Sequence, residues 1–335
     1  MEYICKHHNK LKAVCKNWKS VVESPLFYQE RKQFGTCEEF VVVLTRLNGE
    51  ARLIVYDPLQ KSCQLTLPPI PNEFHVSYSY FSQCVYTHHK VVVIGLPESD
   101  CRSGNTENSV MVFDICSGKW KKGADMPMCR DFFSCLLSPQ TEKHIYIAGG
   151  YIYIDMDLSL HASQVSYEAA VYSMEDNRWE ILPGMGTEFS DDCRCDIVFM
   201  DGKFLVVHDD DAKFYDPETR EWKLVCRIID RHAVYVGVFG RLYWFELKTV
   251  KEYNSMENKW SVAGLFPECL HCVHFATEWS NEIFVSGIDC NGDTVLYLFV
   301  PPAPTVANDN SEKGKWSALM HPRFSYIYSI VRMQI

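Results

Sequence analysis

Residues able to do chemistry gather at a few places in this 335-residue chain. Cys269, His271, Cys272 and His274 have the local spacing of half a zinc site. A structural zinc needs four ligands at about 2.0–2.3 Å, usually completed by a second such pair. Cys193-x-Cys195 is the other close pair, and both pairs fall at strand starts, where side-chain alternation accounts for them. Glu188, Asp192 and Asp196 recur every four residues, and Asp209-Asp210-Asp211 make an acidic hairpin turn. A loop carboxylate cluster and a solvated turn explain both. The chain contains no G-x-S-x-G elbow, phosphate loop or H-E-x-x-H helix. The expectation is a non-catalytic protein with no catalytic residue, no bound metal and no cofactor.

The elements that position these residues follow from composition and period. Hydrophobic residues make up 47% of the chain and aromatics 13%, enough for a substantial core. The net charge of −10 leaves no basic stripe for phosphates, so nucleic acid is not an expected partner. No apolar run reaches the roughly 18 residues needed to cross a bilayer, and the start of the sequence shows no secretory h-region. Fifteen cysteines scattered through strand-like segments then read as buried thiols of a reducing compartment, cytoplasmic or nuclear.

Four times an aromatic residue ending an apolar strand is followed seven residues later by tryptophan: Phe113/Trp120, Tyr172/Trp179, Tyr215/Trp222 and Tyr253/Trp260. Decayed copies stand at Tyr56/Cys63 and at Tyr297 with a displaced Trp316, which makes six units. Each unit pairs a buried-type strand with a second one closing on the aromatic: EEFVVVL with ARLIVYD, KVVVIG with SVMVFD, HIYIAGG with YEAAVYS, GKFLVV with DAKFYD, GRLYWF with KTVKEYN, NEIFVSG with DTVLYLF. FFSCLL, CDIVFM and AVYVGVF supply further strands. Six four-stranded units predict an all-β, six-bladed β-propeller over residues 36–335, its tryptophans packed between blades and its last strand, FSYIYSIV, paired into the first blade. Ahead of it, residues 1–35 are basic and helical in period, with Leu11, Val14, Cys15 and Trp18 at helical spacing. Ser24-Pro25 should end one helix and start another.

The tryptophans, their aromatic partners and the pair Gly149-Gly150 resemble kelch repeats, with both glycines kept in the third unit. LKAVCKNWKSVVESPLFYQERK resembles the C-terminal half of an F-box: Val14, Cys15 and Trp18 occupy its V-C-x-x-W positions. The Leu-Pro pair and first helix of that motif would precede Met1. Together the two parts resemble plant F-box/kelch-repeat proteins. The stretches RKQFGTCEEFVVVL, LPPIP, MPMCRDFFSCLLSPQTEKHIYIAGG and Glu168 to Val207 are similar to the KISS ME DEADLY subgroup. Kelch specifier enzymes carry an E-x3-D-x3-H iron constellation, whose third position is Asp196 here, so this weaker resemblance fails at its histidine.

The resemblance implies a substrate-recognition adaptor of an SCF ubiquitin ligase. Leu11, Val14, Cys15 and Trp18 would face Skp1 and through it the cullin, and the propeller would grip a target protein. Phenylalanine ammonia-lyase and type-B response regulators are the implied targets. A ligase-independent kelch module that sequesters targets is the alternative. Aligning the units sets Arg130, Asp192, Arg194, His232, His271 and Arg323 just before successive innermost strands, at one mouth of a central channel. Loops on a rigid scaffold carry recognition, so these are the target-binding candidates.

Overall fold

In the computed structural model the described residues are 13–47, 50–71, 82–96, 108–128, 130, 133–153, 163–165, 168–185, 195–208, 211–227, 234–238, 240–246, 248–254, 259–302, 313–319, 324 and 326–334. They fall into two compact units, one ending at Met126 and rejoined from Tyr326, the other running from Pro127 to Ser325.

The first unit opens with α1 (Lys16–Val22) and α2 (Pro25–Gln33). Ser24 separates them as the signals require: its Oγ accepts the Phe27 amide at 3.3 Å, and Pro25 takes the first turn, where no amide hydrogen is needed. Two antiparallel four-stranded sheets follow. One has the order β26 (Tyr326–Gln334), β1 (Glu39–Leu47), β2 (Glu50–Asp57), β3 (Ser62–Thr66). The other is β4 (Gln83–Thr87), β5 (Lys90–Leu96), β6 (Ser109–Asp114), β7 (Lys119–Lys122). The expected closure is present: β26 pairs with β1 from Glu39↔Gln334 to Arg46↔Tyr326, so the C-terminal strand completes the N-terminal sheet.

The second unit holds four such sheets. They are β8 (Ser134–Leu137), β9 (His144–Ala148), β12 (Ala169–Ser173), β13 (Arg178–Ile181); β14 (Cys195–Met200), β15 (Lys203–His208), β16 (Asp211–Asp216), β17 (Glu221–Arg227); β18 (Val234–Val238), β19 (Arg241–Glu246), β20 (Thr249–Asn254), β21 (Lys259–Leu265); and β22 (Leu270–Trp279), β23 (Glu282–Asp289), β24 (Thr294–Val300), β25 (Lys315–Leu319). Between β9 and β12 a two-stranded excursion, β10 (Tyr151–Tyr153) with β11 (Ser163–Val165), leaves the third sheet. It starts at Gly149-Gly150, whose φ of 70° and 92° lie in the left-handed region that favours glycine. A Cβ on Gly149 would also meet the Cys195 Cβ at 2.4 Å.

The seven-residue spacing is a hairpin. Tyr215 faces Trp222 and Asp216 faces Glu221, leaving residues 217–220 as the loop, which closes with Arg220 at φ 59°. The same cross-strand facing holds for Phe113/Trp120, Tyr172/Trp179, Tyr253/Trp260 and the decayed Tyr56/Cys63. In the sixth sheet the expectation needs correction: Trp316 faces Phe299, with ring centroids 4.8 Å apart, and Tyr297 faces Ala318. The long connection before Trp316 lets β25 join two residues further along β24 than the repeat implies.

Four of these tryptophans reach back to the preceding sheet of their own unit. Trp120 Nε1 donates to the Pro68 carbonyl at 3.1 Å and Trp222 Nε1 to the Pro183 carbonyl at 2.7 Å. Trp260 packs on the fourth-sheet cluster of Val198, Leu205 and Val207. Trp316 packs on the fifth-sheet cluster of Val234, Tyr243 and Phe245. Fully burying a large apolar side chain contributes about 1.5–3 kcal/mol, and these partly buried rings supply a share of that between successive sheets of one unit.

The cysteines do not form the uniformly buried set expected. None of the ten whose side chains are described is in a disulfide; Cys84 and Cys195 are buried, whereas Cys15, Cys63, Cys269 and Cys290 are exposed. Burial pushes the Cys84 thiol up to about 12, which removes the nucleophilic thiolate at ordinary pH. Native alkylation at pH 8 followed by peptide mass mapping should therefore label Cys15, Cys269 and Cys290 and spare Cys84 until the protein is unfolded.

Candidate functional site

The two helices are held on the first unit by one side and bare on the other. Val22 is 1% exposed and Tyr28 4%. Tyr28 joins a core cluster with Phe40, Val42, Tyr86 and Met333, and Phe27 packs against it. Arg31 fixes the exit of α2, donating from Nη2 to the Thr36 carbonyl at 2.6 Å. The remaining apolar residues face outward: Trp18 is 49% exposed and Val21, three residues on along α1, 57%. Val14, just ahead of the Cys15 N-cap, and Leu26 are exposed as well, as is Cys15 itself. These exposed apolar side chains stand on a short hairpin whose other side is anchored in the first unit. Leu11 lies outside the described residues. Val21 extends the group, and its three-residue offset from Trp18 was the sequence signal for it.

Of the polar candidates in the second unit, Arg130 and His271 lie among the described residues; Asp192, Arg194, His232 and Arg323 lie outside them. Arg130 is 1% exposed, and its Nη1 donates to the carbonyls of Gly149 at 3.2 Å and Glu168 at 2.8 Å. Those carbonyls bound the β10–β11 excursion, so Arg130 clasps its two ends inside the sheet. His271 is exposed but is the second residue of β22, not a residue ahead of it.

Hydrogen bonds that the sequence did not reveal run between the first strands of neighbouring sheets. Ser329 Oγ on β26 accepts the Cys84 amide at 3.1 Å, and Ser134 Oγ on β8 accepts the Ile197 amide at 3.3 Å. Asp196 Oδ2 on β14 accepts the Tyr235 amide at 3.2 Å. The carboxylate that stands at the histidine position of an iron constellation thus serves a strand-to-strand bond. Glu188 lies outside the described residues, as do Asp209 and Asp210.

Cys272 Sγ and His274 Nε2 stand 3.4 Å apart in β22. Among the described residues, the group of three or more metal-ligating side chains with converging donor atoms is a different one: His89, Asp114 and Cys116, with one donor of each within 4.8 Å of the others. Asp114 Oδ1 accepts the Ser117 amide at 2.7 Å, as Asp57 and Asp216 do in their own hairpins. Its Oδ2 faces His89 Nε2 at 3.4 Å. Burial alone would raise the Asp114 carboxyl, but hydrogen bonds from His89 and Ser117 override it and hold it at about 2.

No protein-family model matches the chain. Curated relatives do. It is 29% identical over 211 residues to F-box/kelch-repeat protein At1g15670 of Arabidopsis thaliana, covering 58% of this chain and 54% of that one. F-box/kelch-repeat protein SKIP20 of the same plant is 23% identical, with 65% and 61% covered. Putative F-box/kelch-repeat protein At1g27420 is 24% identical over 307 residues, covering 85% and 81%. The chain spans about half to three fifths of the length of the first two. These likenesses are distant, reach the F-box/kelch-repeat class and do not single out a subgroup within it. Among solved structures, that of YjhT superposes with a TM-score of 0.59 over 82% of this chain and 96% of its own, at 11% identity. That match and the six four-stranded sheets establish the kelch-like six-bladed propeller fold. Among the described residues no helix is long and apolar enough to cross a membrane.

Proposed function

We propose that this chain is a substrate-recognition adaptor of an SCF-type ubiquitin ligase, acting in the cytoplasm or nucleus. In this reading the helical hairpin docks on a Skp1-like protein, and the propeller presents loops to a target. The adaptor supplies proximity; ubiquitin transfer is performed elsewhere in the complex. The observation that carries the reading is the exposed group Val14, Cys15, Trp18 and Val21 on a hairpin whose opposite side, Val22 and Tyr28, is sunk in the first unit. Distant likeness to F-box/kelch-repeat proteins supplies the partner class. Leu11 belongs to the same proposed face. Target contact is assigned to Asp192, Arg194, His232 and Arg323, and to the exposed His271 at the start of β22. Phenylalanine ammonia-lyase and type-B response regulators are the targets to test first.

The direct test is equilibrium binding of the purified chain to a plant Skp1-like protein. Trp18→Ala should weaken binding about 10–100-fold, as truncation of a central aromatic anchor does. Its melting temperature should stay near that of the wild type, because the side chain is half exposed. Skp1 binding that is absent from the wild-type chain, or unaffected by Trp18→Ala and Val21→Ala together, overturns the proposal. Target capture without Skp1 binding would favour sequestration.

A further inference from the structure

We propose that His89, Asp114 and Cys116 form a three-ligand site for a thiophilic divalent ion of the zinc class. The repeat supplies internal comparisons. In each hairpin that begins with an aspartate, the turn engages one carboxylate oxygen: Asp57 Oδ1 takes the amides of Leu59 and Gln60, and Asp216 Oδ1 those of Glu218 and Thr219. The second oxygen of Asp216 meets an ammonium, Lys203 Nζ at 3.0 Å. In the second sheet that oxygen meets an imidazole instead, and a cysteine follows two residues later in the turn.

His89 is 7% exposed, its ring lies 5.9 Å from that of Tyr28, and its Nδ1 is buried with no hydrogen-bond partner among the described residues. Its Nε2 stands 3.4 Å from Asp114 Oδ2. That contact lies at the long end of hydrogen-bond distances, which centre on about 2.7–3.2 Å. It does match the separation of two ligands around one tetrahedral ion, about 3.3–3.7 Å for metal–ligand bonds of 2.0–2.3 Å. The Cys116 thiol brings the third donor within 4.8 Å of the other two. Imidazole, carboxylate and thiolate form a donor set suited to zinc and poorly suited to magnesium or calcium. Asp114 and Cys116 are part-exposed, which gives the ion its entry path and a position for water. Binding releases the thiol proton to solvent and ties the β4–β5 turn to the β6–β7 turn under α2.

The test uses the intact chain, stripped with a chelator and titrated with Co²⁺ and then Zn²⁺. We expect one equivalent of Co²⁺ to produce a sulfur-to-cobalt charge-transfer band with intense visible bands, which Zn²⁺ then displaces. Cys116→Ser should abolish the bands, and Cys272→Ser, which removes the thiol beside His274, should keep them. Zinc should raise the melting temperature of the wild type and of Cys272→Ser but not of Cys116→Ser, since a ligand stabilises only the state that binds it. No cobalt bands in the wild type, bands that survive Cys116→Ser, or bands lost in Cys272→Ser would each overturn the assignment. The wild-type titration is decisive even where a variant folds poorly.

Discussion

Replacing Arg130 by alanine should destabilise the second unit by at least about 3 kcal/mol, because each hydrogen bond from a charged donor contributes about 1.5–3 kcal/mol and this residue makes at least two. Its Nη1 holds the Gly149 and Glu168 carbonyls, where the chain leaves and re-enters the third sheet. Truncation removes the donor from a buried carbonyl at Gly149 and a part-buried one at Glu168, and leaves a cavity that a 1%-exposed side chain had filled. Arg130→Lys should recover little of the loss, since one ammonium cannot reproduce the geometry of a planar guanidinium. Chemical denaturation of wild type and both variants, followed by tryptophan fluorescence, is the measurement. Wild-type stability in Arg130→Ala combined with weakened target binding would return Arg130 to the recognition surface. Target-binding assays on this residue therefore need a stability control.

The second large effect concerns the C-terminus. Ending the chain at Ser325 should prevent the first unit from folding cooperatively. β26 supplies the partner of β1 from Glu39 to Arg46, buries Tyr328, Ile330 and Met333, and ties its neighbour through Ser329 to the Cys84 amide. Arg332 and Gln334 both engage Glu39 Oε1. Without this strand, β1 offers an open edge carrying FVVVL, a template for aggregation. Circular dichroism melting and light scattering of the shortened chain should show a lost transition and soluble aggregates. A synthetic peptide of residues 324–335 should restore part of the transition by adding the missing strand. A shortened chain that melts like the wild type would show the closure to be dispensable. Ser329→Ala alone is the mild version, costing about 1–3 kcal/mol for one buried amide without its acceptor.

Much of the fold was legible because its determinants are local. An aromatic, a four-residue loop and a tryptophan specify a hairpin whichever sheet it belongs to, and six copies specify six sheets. The sixth pairing was misassigned at Tyr297 because register across a long connection depends on how far the chain travels before re-pairing, which spacing does not encode. Phe299 two residues later alternates to the same face, so the pattern alone could not choose between them.

The candidate site was legible only in part. Trp18 and Val14 stood out by motif and are exposed, whereas Val22 and Tyr28, apolar in the same segment, are buried on the first unit. Arg130, a candidate for target binding by its place in the repeat, is engaged with backbone carbonyls of another segment, and Asp196 with the backbone amide of the next sheet. His89, Asp114 and Cys116 drew no attention, because adjacent turns of one sheet bring together residues more than twenty positions apart. The sequence by itself determined the repeat, the hairpins, the helical hairpin and the C-terminal closure, all products of period and neighbouring turn residues. Only the tertiary structure decided which polar side chains face solvent and which face another strand's amides and carbonyls. A charge is buried or displayed according to the segments packed over it, and for Ser329 the segment it serves lies 245 residues away along the chain.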